Sequence, residues 1–356
     1  MQSGFEGFLE CAIENDFIVA TQNKSFPNSV AINGLLWNLF LKKFNRDALW
    51  IPNPLKLLKL IKKNKIKNVH VVGEPTYLSL LILSHLNLFF KLKLNLSCRT
   101  AQNIPYNLPY FPFKYNFKIL NKQNLLVFGV SPISVEFAKN FYNQDNVLSL
   151  SNGVPESFYD KPINYINERK YISYIGTFLE RKGFIDFIEC AKKMFNRTSY
   201  EFIMVGADDT SYKKYRNLNY VNVIKKVNRD DLIEFLDHTA VLVVPSKVTS
   251  GEDFKGVGKV FSVPWMEQFG RIIIEAYSRG VEVVAYDSGA IKHVIRDKSF
   301  LVKEGQVDLL AKKILFTASH FNSNNINETQ EYSQNFKWKN VFNQFLNLRE
   351  DFFSQD

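Results

Sequence analysis

Two glutamates raise the first chemical question. In "WMEQFGRIIIEAYSRG", residues 265–280, Glu267 stands in a polar turn and Glu275 follows eight positions later, beside Ile272, Ile273 and Ile274. A carboxylate accepts two hydroxyl hydrogen bonds at once, which suits the vicinal diols of a ribose or a hexose. On one continuous helix eight residues span ~12 Å along the axis, about the reach from sugar to ribose across a diphosphate. Glu267 could then hold a hexose and Glu275 a ribose. Gly270, at the helix start, would offer an anion free N–H groups and the positive end of the helix dipole. The structural alternative makes Glu267 a helix-capping acid and Glu275 an exposed helix residue.

Other polar residues gather at strand ends. "YISYIG" runs into "TFLERKGF", which puts Arg181 and Lys182 at a strand-to-helix turn. There they could neutralise a diphosphate leaving group, or simply be solvated. "AVLVVPS" ends in Pro245 and Ser246, and "VVAYDSGA" in Asp287, Ser288 and Gly289; turn chemistry explains each equally well. In the first half, "NVHVVGEPTY" sets Gly73, Glu74 and Pro75 after a strand, and "CRTAQNIP" sets Gln102 and Asn103 in a loop. Glu74 and Asn103 could face an acceptor, with ordinary loop polarity as the other reading. Asp208 and Asp209 read as a turn rather than a metal site.

The elements that must position these residues follow from the apolar pattern. In the second half, strands at 171–176, 200–206, 221–224, 240–246, 281–286 and 299–302 alternate with helices at 184–196, 229–237, 270–279 and 306–318. Near-continuous Val/Ile strands between helices mark a parallel sheet covered on both faces. The first half repeats the rhythm more loosely: helix 5–14, strand "DFIVAT" (16–21), helix 54–63, strand 68–73, helix 77–90 and strand 125–130. The Gly/Pro/Asn-rich segment 153–168 reads as a linker between a domain at 1–152 and one at 169–330. Residues 331–356 hold a last amphipathic helix around 337–349.

Length and composition bound the function. At 356 residues two domains are expected. Residues 1–165 carry 18 Lys and Arg against 10 Asp and Glu, and residues 166–356 carry 27 against 25, so the basic excess belongs to the first half. A one-sided basic surface draws phosphates, in nucleotides, anionic lipids or nucleic acid, or is only a solvated face. Nothing beyond net charge speaks for nucleic acid. Cys11, Cys98 and Cys190 form neither a disulfide framework nor a metal cluster, which fits a reducing compartment. No signal peptide is read at the N-terminus. The most apolar run, 77–90, falls short of the ~20 residues a span needs and reads as a buried helix. No G-x-G-x-x-G follows a strand, which disfavours a dinucleotide-dependent dehydrogenase.

Taken together, "EQFGRIIIE", "EAYSRGVEVVAYDSGAIKHVI", "NGVPESFY" and "YIGTFLERKGF" resemble segments of the retaining, nucleotide-sugar-dependent glycosyltransferases of family 4 over about residues 66–315. The resemblance implies the GT-B fold: two Rossmann-like α/β domains with parallel sheets facing across a cleft, and a C-terminal helix returning to the first domain. It implies an active site shared between domains, with closure in turnover. By the resemblance Glu275 binds ribose, Glu267 the donor hexose and Lys182 the diphosphate, with Arg181 beside it. Gly270, Phe269, Gln268 and Ser246 complete the donor side, and Glu74 and Asn103 the acceptor side.

The sequence departs from the family's pattern in places. Thr177 replaces an Arg, Glu282 a Pro and His293 an acid, and no His follows the "VHVV" strand. The family's opening strand and Gly-rich turn have no counterpart here beyond Ser3 and Gly4, which read as a remnant of the turn. The loop from Ser246 to Glu267 is long and reads as a flap over the donor. The implied activity is hexose transfer from a nucleoside-diphosphate sugar to a hydroxyl of a glycan or lipid-linked acceptor. It needs no metal or other cofactor and serves polysaccharide biosynthesis. The alternative is an inactive sugar-nucleotide-binding scaffold of the same fold. A cytoplasmic protein is expected, with peripheral membrane contact through its basic first domain.

Overall fold

The computed structural model describes residues 5–21, 29–32, 52–75, 77–100, 119–120, 122–142, 146–163, 169–249, 265–320 and 323–354. Its contacts divide the chain into two units: Met1–Ser151 with Val341–Asp356, and Asn152–Asn340. Gln102, Asn103, Ser3, Gly4 and most of the expected flap lie outside the described residues.

The first unit opens with α1 (Glu6–Glu14) and a pair of two-residue parallel strands, β1 (Ala20–Thr21) and β2 (Val30–Ala31). Then come α2 (Pro54–Lys63), β3 (Asn68–Val71), α3 (Leu78–Phe89), β4 (Asn95–Thr100), β5 (Leu125–Gly129), α4 (Pro132–Tyr142) and β6 (Val147–Ser149). The last four strands make a parallel sheet in the order β3-β4-β5-β6. Asn53 caps α2 by accepting from Leu55 N and Lys56 N, with Pro54 preset at the first helical position. Leu80 and Leu83 of α3 bury themselves with Leu96 and Val127 of the sheet.

Three expectations for this unit need correction. "DFIVAT" contributes only Ala20–Thr21 as strand, because Asp16 turns left-handed (φ 61°) at the end of α1. The strand at 68–73 stops at Val71, where Gly73 N folds back onto Val71 O. The run 77–90 is not a buried helix throughout. A helix that is apolar all round still has an outer face, and Leu88, Phe89 and Phe90 stand exposed on it.

The second unit runs α5 (Ser157–Asp160), β7 (Tyr171–Ile175), α6 (Phe184–Met194), β8 (Glu201–Ala207), α7 (Asp209–Tyr215), β9 (Asn222–Lys225), α8 (Arg229–Asp237) and β10 (Thr239–Val244). It continues with α9 (Arg271–Ser278), β11 (Glu282–Asp287), β12 (Leu301–Lys303), α10 (Val307–Ser319) and α11 (Ser323–Gln334). All six strands are parallel, in the order β12-β11-β10-β7-β8-β9. That is the doubly wound order, whose direction of winding reverses between β7 and β10. Val241, Val243 and Val284 are sealed in the core.

Segment 152–163 is bound into this unit rather than hanging free. Arg279, wholly buried, donates to the carbonyls of Phe158, Lys161 and Pro162 at 2.7–3.0 Å and grips Asp237 with two nitrogens, each at 2.7 Å. Arg169 donates to the carbonyls of Thr239, Gly280 and Arg279. Burial lowers its pKa to about 10, against the attraction of Asp237.

The last helix, α12 (Trp338–Phe353), starts in the second unit and belongs to the first from Val341 on. Its Phe342 and Phe345 meet Phe8 edge-on at 5.1 and 5.2 Å. Phe345 also packs on His70 and Phe128. No helix of the described residues is long and apolar enough to cross a membrane.

Candidate functional site

The winding reversal places the ends of β7 and β10 together, and the sequence puts chemistry on both. β7 runs out through Gly176 and Thr177 into a single 3-10 turn, Glu180–Lys182, closed by Gly183. Gly183 is left-handed (φ 72°), and a β-carbon there would lie 1.8 Å from Pro245 O after β10. Only glycine lets the two loops come this close. Lys247 N donates to Arg181 O at 2.9 Å, which fixes the register of the two strand ends.

On that frame Lys182 Nζ meets Glu267 Oε2 at 2.5 Å, with the two side chains 26% and 14% exposed. The indole of Trp265 lies under both cations, 4.2 Å from the Arg181 guanidinium and 4.7 Å from Lys182 Nζ. Glu267 is held by its backbone: Ala290 N donates to its carbonyl at 2.8 Å. Gly289 (φ 55°) is packed so closely that a β-carbon would come within 2.6 Å of Glu267 O. Gly289→Ala is therefore expected to cost ~1–2 kcal/mol in backbone strain and to push the Glu267 loop away from Lys182. Denaturant midpoints and donor affinity, measured on the same variant, should both fall.

The chain enters α9 through Gly270, left-handed at φ 77°. Glu267 therefore lies before a reversal rather than on the helix, and the 12 Å helical rise does not apply between the two glutamates. Glu275 is inside α9 and only 8% exposed, which excludes the exposed-residue alternative. Arg271 Nε donates to its carboxylate at 3.0 Å. Burial raises the Glu275 pKa, while Arg271 and Arg229 pull it back.

The remaining expected donor-side residues offer less. Phe269 is buried, its ring centroid 5.9 Å from that of Phe336. Gln268 donates to Met266 O at 3.2 Å, and Ser246 is buried. Ser288 is buried too, with no hydrogen-bond partner for its hydroxyl among the described residues. Asp208 caps α7 by accepting from Ser211 N, and Asp209 pairs with Lys225 at 2.7 Å.

Residues not picked out from the sequence brace this site. Asp186 of α6 accepts from Lys247 Nζ at 2.6 Å and from Tyr286 OH at 2.8 Å, tying β10 and β11 to the start of α6. Tyr174 donates to Thr177 O at 2.7 Å; burial, then the Glu267 charge, pushes its pKa up. Trp265 heads the stretch that carries both glutamates, but spacing cannot reveal a ring stacked under two cations.

Of the family departures, Glu282 is structural. It is buried on β11 and paired with Arg296 at 2.8 Å, and Arg296 also holds Glu328 of α11 at 2.7 Å. His293 is shifted toward the neutral form by burial, then by Lys292 and Lys298.

In the first unit, Glu74 is buried just past β3. Arg99, at the end of β4, donates to the carbonyls of Leu150 and Ser151 at 3.1 and 2.6 Å. Burial draws the Arg99 pKa down to about 9, against the attraction of Glu74.

Two Rossmann-like units, each with a parallel sheet, define the GT-B fold, and solved structures share it. The chain is similar to a glycosyltransferase from Rickettsia africae ESF-5 at 18% identity, with a TM-score of 0.71 over 100% of this chain and 97% of the other. HepE of Anabaena, solved in complex with UDP-glucose, is similar at 14% identity and a TM-score of 0.67, over 99% and 96%. Sucrose-phosphate synthase of Thermosynechococcus elongatus follows at 15% and 0.58, over 94% and 83%. Residues 157–328, which hold the whole of the Lys182–Glu267–Glu275 arrangement, match the family "Glycosyl transferases group 1". Fold and family match together support a glycosyltransferase. No curated protein matches the chain.

Proposed function

We propose that the chain is a retaining glycosyltransferase of family 4 that moves a hexose from a nucleoside-diphosphate sugar to a hydroxyl of a glycan or lipid-linked acceptor. The observation that carries this reading is the meeting of Lys182 and Glu267, 85 residues apart in sequence, at 2.5 Å beside the sheet's winding reversal. Lys182, Arg181 and the start of α9 at Gly270 supply positive charge for a leaving diphosphate. The proposal therefore gives that task to the chain's own groups rather than to a metal. Glu267 fixes the hexose and Glu275 the ribose, while Glu74 and Asn103 are assigned to the acceptor. The UDP-glucose bound in Anabaena HepE supports a nucleotide-sugar as the donor class. The test is incubation with a panel of nucleotide-sugars, reading released nucleoside diphosphate by mass spectrometry. Donor binding without release, with every acceptor tried, would leave an inactive binding scaffold.

Glu275 provides a sharper check, because its two roles pull in opposite directions. Glu275→Gln removes a charge-assisted contact worth ~1.5–3 kcal/mol, so donor affinity should fall at least tenfold in calorimetry. The ligand-free protein should respond the other way. A carboxyl whose folded pKa is raised gives stability that is fully present below its unfolded value and lost as pH rises through the folded value. The Gln variant lacks that loss. It should melt above the parent at neutral pH, with the gap closing as pH drops to the ordinary glutamate range. Unchanged donor affinity in the folded variant would take Glu275 out of the site.

A further inference from the structure

The basic excess of the first half has a defined address. Between residues 52 and 97 the sequence carries eight lysines and a single acid, Glu74. The acid is buried and all eight lysines are exposed. On α2, Leu55, Lys59 and Lys62 recur at the i, i+4, i+7 spacing of one helix face, while Leu57 and Ile61 take the core.

The same surface is apolar where a soluble protein usually is not. Phe89 is 82% and Leu55 74% exposed, and Leu88 and Phe90 stand out beside them. Phe89 and Phe90 share with Pro54, Leu81, Ile82 and His85 a hollow of about 490 Å³. Lys62 Nζ lies 5.2 Å from the centre of the Phe90 ring, so the cationic stripe of α2 borders this apolar edge of α3 directly. Lys65 and Lys91, each just after the C-cap of its helix, take the left-handed backbone (φ 52° and 48°) that glycine adopts there more easily. The charge is kept at a conformational cost.

We infer that this face of α2 and the C-terminal end of α3 docks onto an anionic lipid bilayer. Phe89, Phe90, Leu88 and Leu55 would enter the acyl boundary, and the lysines around them would lie against the headgroup phosphates. Neither half is sufficient alone: one or two inserted apolar groups give marginal binding, and stable attachment takes a basic patch as the second signal. The charge sign selects the partner, since zwitterionic lipid and an uncharged protein groove offer nothing to eight exposed ammonium groups. This inference stands independently of the proposed chemistry.

The test is co-sedimentation of the full chain with vesicles of equal parts phosphatidylglycerol and phosphatidylcholine, and with pure phosphatidylcholine, at about 0.1 M salt. The chain is expected to bind the anionic vesicles at least tenfold more tightly. Phe89→Ser with Phe90→Ser should weaken that binding about tenfold to a hundredfold, and Lys59→Glu with Lys62→Glu should abolish it. Both double variants should keep the parent's circular dichroism and its nucleotide-sugar turnover in solution. Equal binding to both vesicles, no binding to either, or full binding by the serine variant would overturn the inference. So would a dimer in light scattering that the serine variant dissolves, since a second copy would then cover the face.

Discussion

Lys182→Ala is expected to lower turnover of a nucleotide-sugar by about 100- to 1000-fold, the range seen when one group stabilising a developing negative charge is removed. The ammonium does not stand idle without a donor: it neutralises Glu267 at 2.5 Å. On the proposed roles, an incoming diphosphate would exchange that carboxylate for its own oxygens and free Glu267 to accept from sugar hydroxyls. On that reading one ion pair holds both groups in place until a donor would separate them. Because charge on the diphosphate grows as the glycosidic bond breaks, the loss should fall mainly on kcat, read as nucleoside diphosphate released at saturating donor. Lys182→Arg keeps the charge but not the compact geometry, and should recover part of the rate. An alanine variant with the parent's kcat would remove Lys182 from the chemistry, whatever its effect on KM.

Arg279→Met is expected to destabilise the protein by about 3–5 kcal/mol, the cost of breaking a buried ion pair from one side. The guanidinium is wholly enclosed, and its five contacts are all within 3.0 Å. Methionine fills much of the volume but leaves the Asp237 carboxylate buried without its partner and three carbonyls without a donor. Urea unfolding should show a lower midpoint. Adding Asp237→Asn should restore part of the loss, because the stranded charge is then gone. A loss below about 1 kcal/mol in the single variant would mean that water reaches the pocket and replaces the arginine.

These two residues differ in how far the sequence announced them. Lys182 is singled out by the resemblance of "YIGTFLERKGF" to a family segment, since a basic turn after a buried strand is by itself a weak signal, whereas the Val/Ile strands of the second unit are nearly unmistakable. Arg279 carried no signal, since an arginine after a helix is ordinarily solvated. Its role comes from α8, α9 and segment 158–162 meeting in space. In the first unit β4, "NLSCRT", is not legible in the sequence because Ser97, Cys98 and Arg99 interrupt the apolar run, although all three are buried. α11, "SNNINETQEYSQ", lacks a broad apolar stripe. It packs through Ile326 and the hydroxyls of Thr329 and Ser333, which turn back onto their own helix. The site was similarly half legible. The family resemblance singles out both glutamates, whereas the burial of Glu275, the reversal at Gly270 and the indole beneath two cations depend on packing that no local pattern encodes.

The last helix has a consequence for the order in which the protein is made. Phe8, His70 and Phe128 of the first unit need Phe345, and Phe8 needs Phe342, to close their aromatic cluster. A ribosome adding about 5–20 residues per second delivers those rings some ten to forty seconds after Ser151. The intervening unit, continuous from Asn152 to Asn340, is made in that interval. The first unit thus keeps an open apolar seam while the second is made, the interval in which a chaperone has most to protect.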